Sequence, residues 1–152
     1  MTKNEALTRA MKLCSIKEYA PSEIEQKLMD WGITKEFSND IIAELVNGKF
    51  LDEFRMARYF ANDKLRFNKW GKVKIKFMLQ QKKIGKEAIL EALKQIAEEE
   101  YITILNEELT KKRKSIRDTD DYIIKAKLFQ FASGRGFESD LIYKLLDKTI
   151  HH

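Results

Sequence analysis

The sequence predicts an all-α protein assembled from three copies of a three-helix unit, and three observations lead there. Six Gly and a single Pro in 152 residues leave little material for long loops, while Leu, Ile, Lys, Glu and Ala, which enter helices readily, are abundant. Apolar residues recur at i, i+3, i+4 and i+7, the rhythm of helices with one buried face. The chain also matches itself. A shift of 51 positions carries Ala6, Ala10 and Cys14 onto Ala57, Ala61 and Leu65, Ile24, Leu28 and Ile33 onto Ile75, Leu79 and Ile84, and Ile42 onto Leu93. A further shift of 53 carries Ile75, Ile84, Ile89 and Leu93 onto Leu128, Phe137, Ile142 and Leu146. Such periodicity marks tandem repeats, here over 1–50, 51–97 and 98–152.

In the first copy, Leu7, Ala10, Met11 and Cys14 give an amphipathic helix over about Asn4 to Tyr19, ending before Pro21. Ser22-x-x-Glu25 reads as a capping box opening a second helix, with Ile24, Leu28 and Trp31 on one face and Gly32 as its stop. A third helix runs from about Lys35 to Val46, with Phe37, Ile41, Ile42 and Leu45 inward, and Asn47-Gly48 closes it. Equivalent junctions, Trp31-Gly-Ile33, Lys82-Lys-Ile84 and Arg135-Gly-Phe137, end the second helix of every copy.

The central copy holds an ambiguous stretch. Lys72 to Phe77 alternates lysine with apolar residues as a strand would. The repeat instead aligns it with the second helix of the first copy, and a lone strand would have nothing to pair with. A helix beginning near Gly71 places Ile75, Met78 and Leu79 on one face and Lys72, Lys76 and Lys83 on a neighbouring one. In the third copy a helix over about Glu98 to Lys112 leads into Lys111 to Arg117 and the turn-like Asp118-Thr-Asp-Asp121, which predicts the longest linker and a hinge there. Asp120 or Asp121 is placed to cap the helix that follows.

Charge is distributed unevenly. Nine of the 29 Lys and Arg fall between Lys64 and Lys86, and none of the 24 Asp and Glu does. Lysine and arginine there can neutralise phosphates and release counterions, meet an acidic protein surface, or form a solvated face; electrostatics alone does not choose. Phe67 and Trp70 sit among these bases, where aromatics either stack on unpaired bases or pack into the core. The candidate contact residues are Arg66, Lys69, Lys72, Lys74, Lys76, Lys82 and Lys83, with Lys111, Lys112 and Arg113 as a second cluster and Arg135 as a further member. Lys114 and Arg117 extend the second cluster, whose place at a helix end also suits the helix dipole.

Catalytic chemistry finds no support. His151 and His152 close the chain, so no His-based acid, base or metal cluster is expected in the folded body. The Walker, nucleophile-elbow and zinc spacings are absent, and no cofactor is expected. Asp52-Glu53 and Asp118 with Asp120-Asp121 stand at helix starts, where capping explains them better than Mg²⁺. The single Cys14 allows no internal disulfide and lies on an apolar face, so burial is expected. The N-terminus lacks the apolar segment of a signal peptide, and no run approaches the roughly 18 apolar residues of a membrane span; a soluble, cytoplasmic protein is expected. No unit carries a second helix rich in Asn, Gln and Arg, which argues against reading of base edges.

Three passages together resemble the RecX family of bacterial regulators of the RecA recombinase. F50-L-D-E-F-R-M-A57 is similar to the family's LDD-x-x-(F/Y)-A junction, Gly71-x-x-x-Ile75-x-x-x-Leu79-x-x-x-x-Ile84 to its helix closed by KGI, and L128-F-Q-F-A-S-G-R-G-F137 to its L-x-x-RGF. Glu53 stands where a second Asp is common, and Lys83 replaces the Gly before Ile84. The resemblance implies an elongated, slightly curved array of three three-helix repeats with a basic concave side. It implies a monomer that lies in the groove of the RecA filament on single-stranded DNA and suppresses its recombinase, ATPase and co-protease activities. A module that competes non-specifically for single-stranded DNA is the other reading the basic window allows, and a helical adaptor without a nucleic-acid role is a third.

Overall fold

A computed structural model describes residues 1–150; His151 and His152, and the expectation attached to them, lie outside the described residues. Among the described residues all regular structure is helical: α1 (Lys3–Ile16), α2 (Pro21–Asp30), α3 (Lys35–Asn47), α4 (Glu53–Phe67), α5 (Lys72–Gln81), α6 (Lys86–Lys94), α7 (Glu98–Ser115), α8 (Asp121–Gly134) and α9 (Ser139–Ile150). The chain falls into two compact units, one of Met1–Tyr59 with Leu79–Ala92, the other of Phe60–Met78 with the chain from Leu93 onward.

In the first unit, Ala6, Ala10 and Cys14 of α1 pack with Ile24 and Leu28 of α2, Ile41 and Leu45 of α3, and Ile33 and Leu51. Alanines at the centre of α1 let the helices approach closely, and the longer Ile and Leu fill the space between them. Burial pushes the Cys14 thiol upward, with Glu18 adding to the rise and Arg55 opposing it. Thr2, not Asn4, opens α1, its hydroxyl accepting the Glu5 N–H at 3.1 Å. The helix stops at Ile16, which is exposed, short of the predicted Tyr19.

The capping box at Ser22 is corrected. Ala20 is the N-cap of α2 and Pro21 its first residue, because proline's fixed φ and missing N–H suit that position. The carboxylate that reaches back is Glu23, which accepts the Ala20 N–H at 2.8 Å. Ser22 instead donates to the Lys82 carbonyl at 2.6 Å. Phe37 also departs from the predicted inward face and is exposed, since Ser38 takes the buried position on that turn. Trp31 lies at the C-cap of α2, only partly buried, with the Arg9 guanidinium 4.4 Å from its ring. Ion pairs join α4 to the rest of this unit: Arg55 with Glu18 at 2.6 Å and Arg58 with Glu91 at 2.7 Å. Glu53 accepts the Gly85 N–H at 2.8 Å, so this acid satisfies the start of α6 while Asp52 caps its own helix through the Arg55 N–H at 3.1 Å.

The second unit centres on α7, α8 and α9, with Tyr101, Leu105, Leu109, Ile124, Leu128, Ala132, Phe137 and Ile142 buried. Helix α7 continues to Ser115, beyond the predicted Lys112, so the basic run is helical and the linker shrinks to 116–120, no longer than 48–52. Ile116 is buried and its carbonyl accepts from Arg113 at 3.4 Å, which pins the linker at its first residue. Asp120 caps α8, accepting the Tyr122 N–H at 2.8 Å.

Candidate functional site

Helix α5 carries three of the predicted basic residues, Lys72, Lys74 and Lys76, and its beginning is unusual. It has no acid in its first turn, and Lys72 stands where the helix dipole disfavours a cation. Its free N–H groups are met by the rest of the second unit instead. The Lys72 N–H donates to the Tyr101 hydroxyl at 2.8 Å, and the Gly71 and Val73 N–H groups donate to the carbonyls of Arg135 and Gly136 at 2.7 and 3.0 Å. Tyr101 in turn donates to the Glu138 carboxylate. Its phenol is held well above the usual tyrosine range by burial first and then by that carboxylate, so it remains a donor. Orphan donors at a helix start need partners, and here tertiary contacts supply them.

This junction demands two glycines. A side chain on Gly71 would collide with the Gly136 backbone, and one on Gly136 would collide with Lys74; Gly136 also has φ +91°. Gly32 and Lys83 occupy the matching turns with φ 79° and 60°. The substitution of Lys for Gly at 83 therefore keeps the left-handed turn and accepts its strain. Lys49 and Lys69 share that conformation, at φ 62° and 58°.

The predicted bases divide into paired and unpaired groups. Arg66 grips both Glu100 oxygens at 2.8 and 3.3 Å, and the hydrogen bond raises the arginine while holding the Glu100 carboxyl below its ordinary value. Lys82 meets Glu23 at 2.9 Å; burial alone would raise that carboxyl, but the Ala20 N–H and Lys82 outweigh it and lower it. Arg135 lies 3.4 Å from Glu108 and 3.5 Å from the Asn68 carbonyl. These three charges are largely answered within the fold. Among the described residues, Lys69, Lys72, Lys74, Lys76, Lys83, Lys111 and Lys112 form no ion pair.

Aromatic rings organise several of these cations. Trp70 is half-buried, with the Lys74 and Lys64 ammonium groups 4.5 and 5.3 Å from its centre and Phe60 packed edge-on at 6.4 Å. Lys72 lies over Tyr101 at 4.8 Å. Phe67, by contrast, is 79% exposed among the same bases. The Arg135 guanidinium covers Phe131 at 4.8 Å, with Lys112 at 5.4 Å from the same ring. Lys64 belongs to the basic window but not to the candidate contact residues, and Lys127 and Phe131 are not among the predicted contacts, although Lys127, Phe131 and the C-cap Arg135 recur every four residues at the end of α8. Lys82 and Lys83 lie in the first unit, and the remaining predicted contact residues in the second. No helix of the described residues is long and apolar enough to cross a membrane, and no group of three or more His, Cys, Asp or Glu among them could hold a metal ion.

Fold and surface together define a helical protein of three-helix domains that carries unpaired, aromatic-supported cations. The second three-helix domain of RecX matches residues 52–93, and the third matches 98–146. A regulatory protein RecX from Clostridium acetobutylicum is 34% identical, aligning over 93% of this chain and 67% of its own. One from Pelodictyon phaeoclathratiforme is 29% identical over 91% of this chain and 86% of its own, and one from Leuconostoc mesenteroides is 23% identical over 96% and 55%. The chain thus spans just over half the length of the Leuconostoc relative. A crystal structure of RecX from Lactobacillus salivarius superposes with a TM-score of 0.85 at 18% identity, covering 99% of this chain and 97% of that one. A crystal structure of another regulatory protein RecX gives 0.86 at 23%, covering 95% and 71%. Those two likenesses carry the fold. The chain belongs to the RecX family of regulatory proteins.

Proposed function

We propose that this chain binds the RecA filament on single-stranded DNA and lowers its recombinase, ATPase and co-protease activities. The family supplies the partner, and the observation that carries the reading here is the set of ammonium groups without acidic partners: Lys69, Lys72, Lys74, Lys76, Lys83, Lys111 and Lys112. Cations that the fold does not answer are available to a polyanion. Arg66, Lys82 and Arg135 contribute less in this reading, because breaking their internal pairs opposes any contact they make. The repeats over 1–50, 51–97 and 98–152 act as successive binding units, so that filament growth or protomer exchange is hindered. The protein works as a monomer in the cytoplasm, without cofactor or catalytic step.

The test is a titration of RecA's DNA-dependent ATPase. Inhibition at amounts too small to cover the DNA is expected. Inhibition that appears only when the strand is coated would make the protein a competitor for single-stranded DNA, and unchanged hydrolysis at every dose would remove RecA as a partner.

A further inference from the structure

Lys72 is held twice by one residue of the second unit. Its backbone N–H donates to the Tyr101 hydroxyl at 2.8 Å, and its ammonium lies 4.8 Å from the centre of the same ring. Tyr101 is 2% exposed, and its hydroxyl donates onward to the Glu138 carboxylate. We propose that Tyr101, seated by Glu138, is a positioning residue for the regulatory contact: it fixes the start of α5 and with it the direction in which the Lys72 ammonium is presented to the partner.

Packing alone does not account for this tyrosine. A phenylalanine would fill the same space, and a buried hydroxyl costs free energy unless it is bonded; here it both accepts, from the Lys72 N–H, and donates, to Glu138. The accepted bond lies at a helix start that has no acid in its first turn, so Tyr101 takes the place of a local side-chain cap. On either side the Gly71 and Val73 N–H groups donate to the Arg135 and Gly136 carbonyls at 2.7 and 3.0 Å. Lys72 is thus the middle of three anchored residues, and its side chain leaves a fixed backbone. Its four-carbon stem is flexible by itself, and the ring beneath its ammonium limits that freedom. The ammonium carries three donors and the ring occupies one side of it, while Lys72, Tyr101 and Glu138 all line an open cavity of about 480 Å³ that leaves the group within reach of solvent. The inference rests on the reading that the unpaired lysines meet the partner, and it adds the residues that aim one of them.

Tyr101→Phe keeps the ring and removes the hydroxyl, and it is measured first without RecA. The Lys72 amide is expected to exchange with solvent about 2- to 10-fold faster, the worth of one hydrogen bond, while the amides of Leu105 and Leu128 in the core hold and report an intact fold. With RecA, the concentration for half-inhibition of the DNA-dependent ATPase is expected to rise by a similar factor. A double-mutant cycle separates positioning from structure: in the Lys72→Gln background, Tyr101→Phe is expected to cost no further inhibition, whereas a tyrosine that only packs would cost the same in both backgrounds. Glu138→Gln, whose amide oxygen still accepts from the phenol, is expected to inhibit like the unaltered protein, and Glu138→Ala to behave like Tyr101→Phe. Unchanged exchange at Lys72, or equal losses with and without the lysine, would overturn the assignment. An unaltered protein that leaves the ATPase untouched would instead remove RecA as the partner, and the exchange rates would still decide whether Tyr101 fixes Lys72.

Discussion

Lys83 is where local strain and charge meet. Its φ of 60° puts a side-chain-bearing residue in the left-handed region, at a turn whose counterparts in the other two copies are Gly32 and Gly136. That conformation costs a non-glycine residue about 1–2 kcal/mol, part of which glycine would return through its freer unfolded chain. Lys83→Gly is therefore expected to stabilise the protein by about 0.5–1 kcal/mol, visible as a rise of roughly 1–4 °C in Tm for a chain of this size. If the lysine is kept for its charge, the same variant should inhibit RecA less while melting higher. An unchanged or lower Tm would show that the Lys83 stem contributes packing that outweighs the strain.

Elements were legible wherever the buried pattern was local. Ala6, Ala57, Ala10 and Ala61 are all fully buried, as are Ile24, Ile75 and Leu128, so the repeat register located the core of every second helix. The caps were read less well. Ser22 and Glu25 have the right spacing, but Pro21 started α2 earlier and made Glu23 the reciprocal partner, a choice the motif alone could not make. The start of α5 near Gly71 was legible from the repeat despite the strand-like alternation of Lys72 to Phe77, but what caps it was not: its partners are Tyr101, Arg135 and Gly136, remote in sequence. The contact between Gly71 and Gly136 makes that dependence testable. An added methyl at 136 meets Lys74 and must also hold φ +91°, so overpacking and backbone strain of about 1–3 kcal/mol each combine. Gly136→Ala is expected to lose about 2–4 kcal/mol in urea unfolding, whereas Gly134→Ala, with nothing within 4 Å, should be neutral or slightly stabilising. Comparable losses in both would mean that the end of α8 matters and the α5 junction does not.

Across the whole molecule, the sequence exposed where positive charge accumulates but not which charges stay unanswered. Glu23, Glu100 and Glu108 come from outside the basic window and pair with Lys82 and Arg66 of the window and with Arg135, all three of them predicted contact residues. No composition count can anticipate such pairing, because it depends on which helices pack together. What remains is lysine-rich, and lysine acts as a hydrated point charge with little geometric demand. Binding built on such groups should be salt-sensitive and tolerant of sequence, and reversal of a few charges should act far beyond removal of the same number. Lys72, Lys76 and Lys83 form no ion pair among the described residues, so Lys72→Glu, Lys76→Glu and Lys83→Glu together break no internal salt bridge. The triple variant is expected to abolish inhibition of the RecA ATPase with helical content by circular dichroism preserved. The parallel variant Arg66→Gln, which removes a charge already held by Glu100, should change inhibition little. Full inhibition by the triple variant would place the regulatory contact on another face, and a larger loss from Arg66→Gln would mean that the internal pair opens when the partner binds.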